Sequence, residues 1–391
     1  MREETGVLEK AIASSGSDLP TRPENAPKRD HFGLAGPDSP IGWAALGTLV
    51  AEMENGPGSG SFGILIKLHN RLTKFSVADF ENAFDEIAGL DIPEQNRKAL
   101  EDMLLEMYVT KAPRQALERF SDRLRDDESE VSGWLTKAFG EWVEEDPAAA
   151  LSWMDRSIEG GVFDSKTLEG RNQNRAIFEG RLIGWLLKAN PGAALARALD
   201  LPLQERKQML GSAPIGADEY AAYASLTRSS FDNPEDVLKT MSMVAGNLAK
   251  MDDFSSVDRF IENGKLSQDE IDRVVGMGAF VSVASTYNKP VTKERIEKLG
   301  AWVAGKTPAN EAKLIGRALA QAASHPGNSF ADMATIARTY HEGGNNDEVI
   351  AAFLTNYLKN SRNASNREGM EKLLQSISDT ALRAEVREGI K

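Results

Sequence analysis

The chain has 391 residues, 41% of them hydrophobic, enough for a substantial core and for about two to three ordinary domains. Its 59 acidic residues outnumber 46 basic ones, giving a formal net charge of -13. With no dense basic block, the balance argues against a nucleic-acid binder, which needs Lys and Arg to displace counterions from phosphates, and against docking on an anionic membrane.

Cysteine is absent, which removes disulfides, thiol nucleophiles and Cys-type zinc sites. Exported bacterial proteins often avoid cysteine, so a periplasmic protein is expected, with a cytoplasmic one as the alternative. No basic-then-apolar signal segment follows Met1, so none is expected in this chain. No apolar run approaches the roughly 18 residues of a membrane span.

Residues 1–40 mix Pro, Gly, Ser and charges without apolar periodicity and read as a flexible leader or linker. From Ile41 to Lys391 nearly everything has helical spacing, with a possible subdivision near 205–218. The stretch Gly58-x-Gly60-x-x-Gly63 has the letters of a dinucleotide fingerprint. That motif must follow a strand, and Ile41 to Met53 is spaced as a helix, so a helix–helix loop is expected. Phe80, Phe84 and Ile87, then Leu100, Leu104, Met107 and Tyr108, make further helical stripes.

Trp134, Leu135, Ala138, Phe139, Trp142 and Val143 form a continuous stripe on one helical face. Ile177, Phe178, Leu182, Trp185, Leu186 and Ala189 repeat the idea. Trp134, Trp142 and Trp185 are therefore expected in the core. Val274 to Ala284 has the length of a buried helix. Period-two alternation and Asn-Gly or Asp-Gly hairpin turns are scarce, so the predicted class is all-α.

Helix joints recur. Asp146-Pro147, Asn190-Pro191 and Asn233-Pro234 each precede a leucine four residues after the proline, and Ala112-Pro113 is a weaker copy. The prolines at 113, 147, 191 and 234 stand 34, 44 and 43 residues apart, and Thr307-Pro308 follows 74 later. An aromatic (Tyr108, Trp142, Trp185, Trp302) lies just upstream in most copies. Asp, Asn or Thr before Pro starts a helix, because the side-chain oxygen caps free N–H groups and proline needs no donor at the first position. Two helices per loose period predict an α-solenoid of stacked antiparallel helix pairs.

Asp146-Pro147 followed six residues later by Trp153 resembles the junction between tetratricopeptide repeats. Arg156, Ser157 and Gly160 stand where that family's leucine-glycine pair and tyrosine would fall. The chain is also similar to bacterial helical-repeat proteins with a loose Trp…Asp-Pro…Ala-Leu…Trp pattern. The resemblance implies a tetratricopeptide-like fold and no activity.

Candidate chemistry is sparse. Phe260 to Ile271 resembles half an EF-hand, but Arg259 and Ile261 occupy ligand positions and cannot coordinate calcium. Ser267 and Glu270 instead predict a capping box. The acidic runs Asp126, Asp127, Glu128, Glu130 and Glu144, Glu145, Asp146 read as solvated helix ends. His31, His69, His325 and His341 form no i, i+4 pair, so no metal, cofactor or catalytic residue is assigned. Trp153 lies off the Leu151–Met154–Ile158 stripe; it either packs on the next repeat or faces a groove, where it would be a binding residue.

The expected function is a non-enzymatic scaffold for a protein or peptide partner, whose net-negative groove would favour basic partners. The alternative is an envelope enzyme acting on glycan or peptidoglycan with the helical array as support, as in some lytic transglycosylases. It needs one buried catalytic Glu beside a groove.

Overall fold

A computed structural model describes residues 32–34, 39–54, 61–125, 130–164, 173–249, 253–284, 291–324, 327–344, 346–360 and 366–390. Among them are 20 α-helices and no strand, so the chain is all-α. It divides into two compact units, residues 1–178 and 179–391; the expected subdivision near 205–218 falls inside the second.

The first unit holds α1 (Trp43–Glu54), α2 (Ser61–Leu72), α3 (Val77–Ala88), α4 (Glu94–Lys111), α5 (Pro113–Phe120), α6 (Glu130–Glu145) and α7 (Pro147–Glu159). The division falls within α8 (Gln173–Ala189). Helix α4 is central, packing on α1, α3, α5 and α6. Phe84 joins Tyr108 at 5.3 Å and Phe120 at 4.9 Å between ring centroids, tying α3, α4 and α5 together. The end of the expected leader is held in place. Arg71 on α2 donates to the carbonyl of Gly33 at 2.6 Å and to that of Ser39, and the Gly42 N–H donates to Phe32 at 3.0 Å.

The second unit continues with α9 (Pro191–Asp200), α10 (Leu203–Ser212), α11 (Tyr220–Ser230), α12 (Pro234–Leu248), α13 (Ser255–Asn263), α14 (Gln268–Ala284) and α15 (Lys293–Lys306). It ends with α16 (Glu311–Ala323), α17 (Phe330–Gly344), α18 (Asp347–Asn360), α19 (Arg367–Leu374) and α20 (Thr380–Ile390). From α11 onward each helix packs on the next in sequence, and α11 is joined to α10 by the Tyr223 hydroxyl, which donates to the Leu210 carbonyl at 2.7 Å. The even helices α10, α12, α14, α16, α18 and α20 also pack each on the next, and so do α9, α11 and α13.

The proline joints open helices as expected. Asp146 Oδ1 accepts the Ala149 N–H at 3.0 Å and Asn190 Oδ1 that of Ala193 at 3.1 Å. Asn233 Oδ1 accepts that of Glu235 at 3.0 Å. Ala112 caps α5 without a side-chain bond, and Pro308 opens a short 3-10 turn ahead of α16. Several bonds join positions 36 to 38 residues apart in the chain. The Asn247 amide reaches the Gly211 carbonyl 36 residues away, and Arg273 reaches Glu235 38 away. Asn310 reaches Asp272, also 38 away. In the first unit Lys111 bonds the carbonyls of Thr73 and Phe75, 38 and 36 residues back.

The even helices from α10 to α18 approach closely because a glycine stands at each of their crossings. A β-carbon on Gly276 of α14 would lie 3.2 Å from Leu314 Cδ2 of α16. Gly316 of α16 is tighter: a β-carbon there would lie 2.9 Å from the Phe353 nitrogen, 2.8 Å from Ala352 Cβ, and against the Val349 carbonyl oxygen. Backbone atoms cannot turn aside as a side-chain tip can. Gly133 on α6, by contrast, has open space.

Alanine at these two glycines therefore has opposite effects. Gly316→Ala is expected to cost about 1–3 kcal/mol through overpacking, despite better helix propensity. Gly133→Ala is expected to gain up to about 1 kcal/mol. Urea denaturation measures both, and equal signs would refute the crossing argument. Removing a cap by Asn190→Ala should cost about 1 kcal/mol in the same assay.

Candidate functional site

Trp153 is 6% exposed. Its indole lies 5.5 Å from Phe139, 6.1 Å from Trp142 and 6.1 Å from Phe178 between ring centroids. It is a packing residue of α6, α7 and the start of α8, and has no face free for a ligand. Trp142 is buried as expected, whereas Trp134 and Trp185 are only half-buried. Their stripes are wide, and each indole sits at the edge of its helix's covered face.

The other sequence candidates form no site among the described residues. Gly58 and Gly60, Asp126 to Glu128, His31 and His325 lie outside the described residues. The glycine motif is flanked by helices α1 and α2, not by a strand. Glu144, Glu145 and Asp146 are exposed, and Asp146 is occupied in capping α7. Among the described residues no group of three or more His, Asp or Glu is placed to hold a metal ion. No helix among them is long and apolar enough to cross a membrane.

Buried carboxylates are the usual pointers to acid–base chemistry. Here they serve joints. Glu270 carries Arg228 on both oxygens at 2.9 and 2.7 Å and also accepts the Ser267 N–H at 2.8 Å. This supplies half of the expected capping box and ties α11 to α14. Glu179 holds Arg197 at 2.6 and 3.0 Å. Asp347 accepts from His341 at 2.8 Å and from the backbone N–H groups of Ser378 and Asp379 at 3.0 and 2.7 Å, fixing the turn before α20. Burial pushes the Glu270 and Asp347 carboxyls up, but these donors outweigh it and hold both below their ordinary values.

The clefts among the described residues include three. In the first unit one of about 830 Å³ lies between the 39–41 segment and α2 and α3, where the Trp43 indole N–H donates to Glu86 at 2.9 Å. In the second unit a cleft of about 510 Å³ separates α15 from α17 above Ala312 and Val349. Its polar groups satisfy one another: the Tyr340 hydroxyl donates to Glu311 at 3.0 Å, and Lys293 pairs with Glu297 at 3.5 Å. Burial, then the Glu311 hydrogen bond, raises the Tyr340 hydroxyl to about 12.

The third is a groove of about 690 Å³ across α16, α18 and α20. Leu314, Ala352 and Leu382 supply apolar lining, and Lys313, Arg317 and Lys359 stand around it with Glu348 and Glu385. Along this lining basic side chains outnumber acidic ones, whereas the cleft between α15 and α17 has Glu297 and Glu311 against Lys293. The three basic residues are the ones that the sequence reading passed over. Their signal is legible afterwards as two same-sign residues, Lys313 and Arg317, one turn apart just inside a helix start.

No protein-family model matches the chain, and no curated protein and no solved structure matches it either.

The two lowered carboxyls set an acid limit. A folded-state value below the unfolded one contributes stability that is present above the unfolded value and lost as pH falls through the folded one. Unfolding midpoints should therefore be level above about pH 5 and fall through about pH 4 and below. Glu270→Gln and Asp347→Asn should each lose about 1–3 kcal/mol at neutral pH and flatten that acid limb. Denaturation across a pH series reads both effects, and an unchanged limb in the double variant would refute the assignment.

Proposed function

We propose that the chain is a non-enzymatic helical-repeat scaffold, built as a tetratricopeptide-like α-solenoid of stacked antiparallel helix pairs. It binds a protein or peptide partner on the even-helix face of its second unit. The observation that carries this reading is the run α10, α12, α14, α16, α18, α20, in which each helix packs on the next, with an open groove across the last three. Stacked repeats that bury one another's faces leave an extended surface, and such surfaces are what repeat proteins use for binding. Supporting bonds between chain positions 36–38 residues apart match the loose period of the proline joints. Half-exposed Met243, Met277 and Phe280 continue the apolar character along α12 and α14, and methionine adapts to differently shaped partners.

The test is affinity capture from the native source with the full chain and with Thr355→Arg, followed by mass spectrometry. Thr355 lines the groove without being buried, so the variant should fold with stability within about 0.5 kcal/mol of the parent. A partner recovered with the parent should fall by about tenfold or more with the variant, a loss of about 1.4 kcal/mol. Recovery of the same proteins at the same yield by both would refute the groove as the docking site.

A further inference from the structure

The groove across α16, α18 and α20 carries a charge arrangement that the fold itself does not use. Lys313 is the third residue of α16, in a first turn where the helix dipole disfavours a cation. Glu311, the acidic residue of that same turn, is engaged by the Tyr340 hydroxyl at 3.0 Å. Arg317 follows one turn later on the same face, and like charges at this spacing cost a helix a few tenths of a kcal/mol. Lys313 and Arg317 are exposed and, among the described residues, neither forms an ion pair, although Arg197, Arg228, Lys207 and Arg273 of the same unit each hold a carboxylate.

Arg317 is nonetheless positioned. Its guanidinium lies 5.5 Å from the centroid of the Phe280 ring on α14, which holds the charge beside the groove at small entropic cost. Lys359 stands in the last turn of α18 and lines the same groove. On the acidic side, Glu348 lies in the first turn of α18, where the helix N-terminus already favours it. The wall formed by α16 is therefore purely basic and carries two local electrostatic costs beside the apolar Leu314, Ala352 and Leu382.

From this charge complementarity we infer that the groove docks an acidic segment of a partner protein, with leucine-like side chains on the apolar lining and carboxylates on Lys313 and Arg317. A partner that covers the lining withdraws these cations from water, and its own carboxylates offset that desolvation. A basic segment would bring like charge to the α16 wall. The inference rests on the scaffold reading and names the partner's chemistry.

The probes are short synthetic peptides sharing one leucine framework, with the remaining positions all Glu, all Gln or all Lys. Binding to the full chain is followed by fluorescence anisotropy at several salt concentrations. The parent should bind the Glu peptide about tenfold or more tighter than the Lys peptide, with the gap narrowing as salt rises. The double variant Lys313→Glu, Arg317→Glu, with thermal unfolding like the parent's, should invert the preference. That inversion cannot come from a folding defect. Charge-independent binding, a Lys preference in the parent, or a Glu preference kept by the double variant would overturn the inference. So would binding of an oligonucleotide or of phosphatidylserine vesicles, lost in the double variant, with no Glu-peptide binding. If the Gln or Lys peptide binds at least as tightly as the Glu peptide and Thr355→Arg abolishes that binding, the acidic partner is refuted and the scaffold stands. If no peptide binds and Thr355→Arg leaves cellular capture unchanged, both fall.

Discussion

The second unit depends on how closely its even helices can approach. Gly211 receives Met243, Gly246 receives Met277 and Val281, Gly276 receives Leu314, and Gly316 receives the backbone of Val349 and Phe353. Each glycine weakens its own helix by about 1 kcal/mol relative to alanine. The return is that a neighbouring helix lies directly against the backbone, where dispersion contacts accumulate over the whole crossing. Without that close approach the even helices would not line up as a face, and the groove across α16, α18 and α20 would have no continuous lining.

A second device holds neighbouring helices in register. Aromatic side chains bury their rings and direct a polar edge to a carboxylate elsewhere in the chain. Trp43 donates to Glu86, Tyr108 to Glu81, Trp302 to Asp258 and Tyr340 to Glu311, at 2.9 to 3.1 Å. Trp302 also stacks on Phe254 at 4.1 Å. An indole or phenol that is apolar on its faces and a donor at its edge packs well only in one orientation. This orientation explains why Glu81, Glu86, Asp258 and Glu311 are structural partners of aromatics. It also explains why Trp153, surrounded by rings on several sides, has nothing to offer a ligand.

Much of the architecture is legible residue by residue. Asp146, Asn190 and Asn233 before proline announce their helices because capping is local, a matter of one oxygen and an N–H two or three residues on. Helical stripes such as Phe80–Phe84–Ile87 announce a core face for the same reason. Trp134 and Trp185 show the limit: spacing places a side chain on a face, but only the neighbouring helix decides how much of the face is covered. Lys265 is another case. It takes the left-handed backbone with φ of 48° while Gly264 beside it does not, against the expectation that glycine takes that turn.

The sequence by itself determined that the protein is helical, where proline-led helices begin, and that chemistry relying on cysteine is absent, because these follow from local geometry and residue type. Only the tertiary structure decided which glycines are crossings, which carboxylates are already occupied, and which basic residues remain unpaired beside an apolar groove. Those are relations between positions far apart in the chain. They are set by packing, and no window of neighbouring residues contains them.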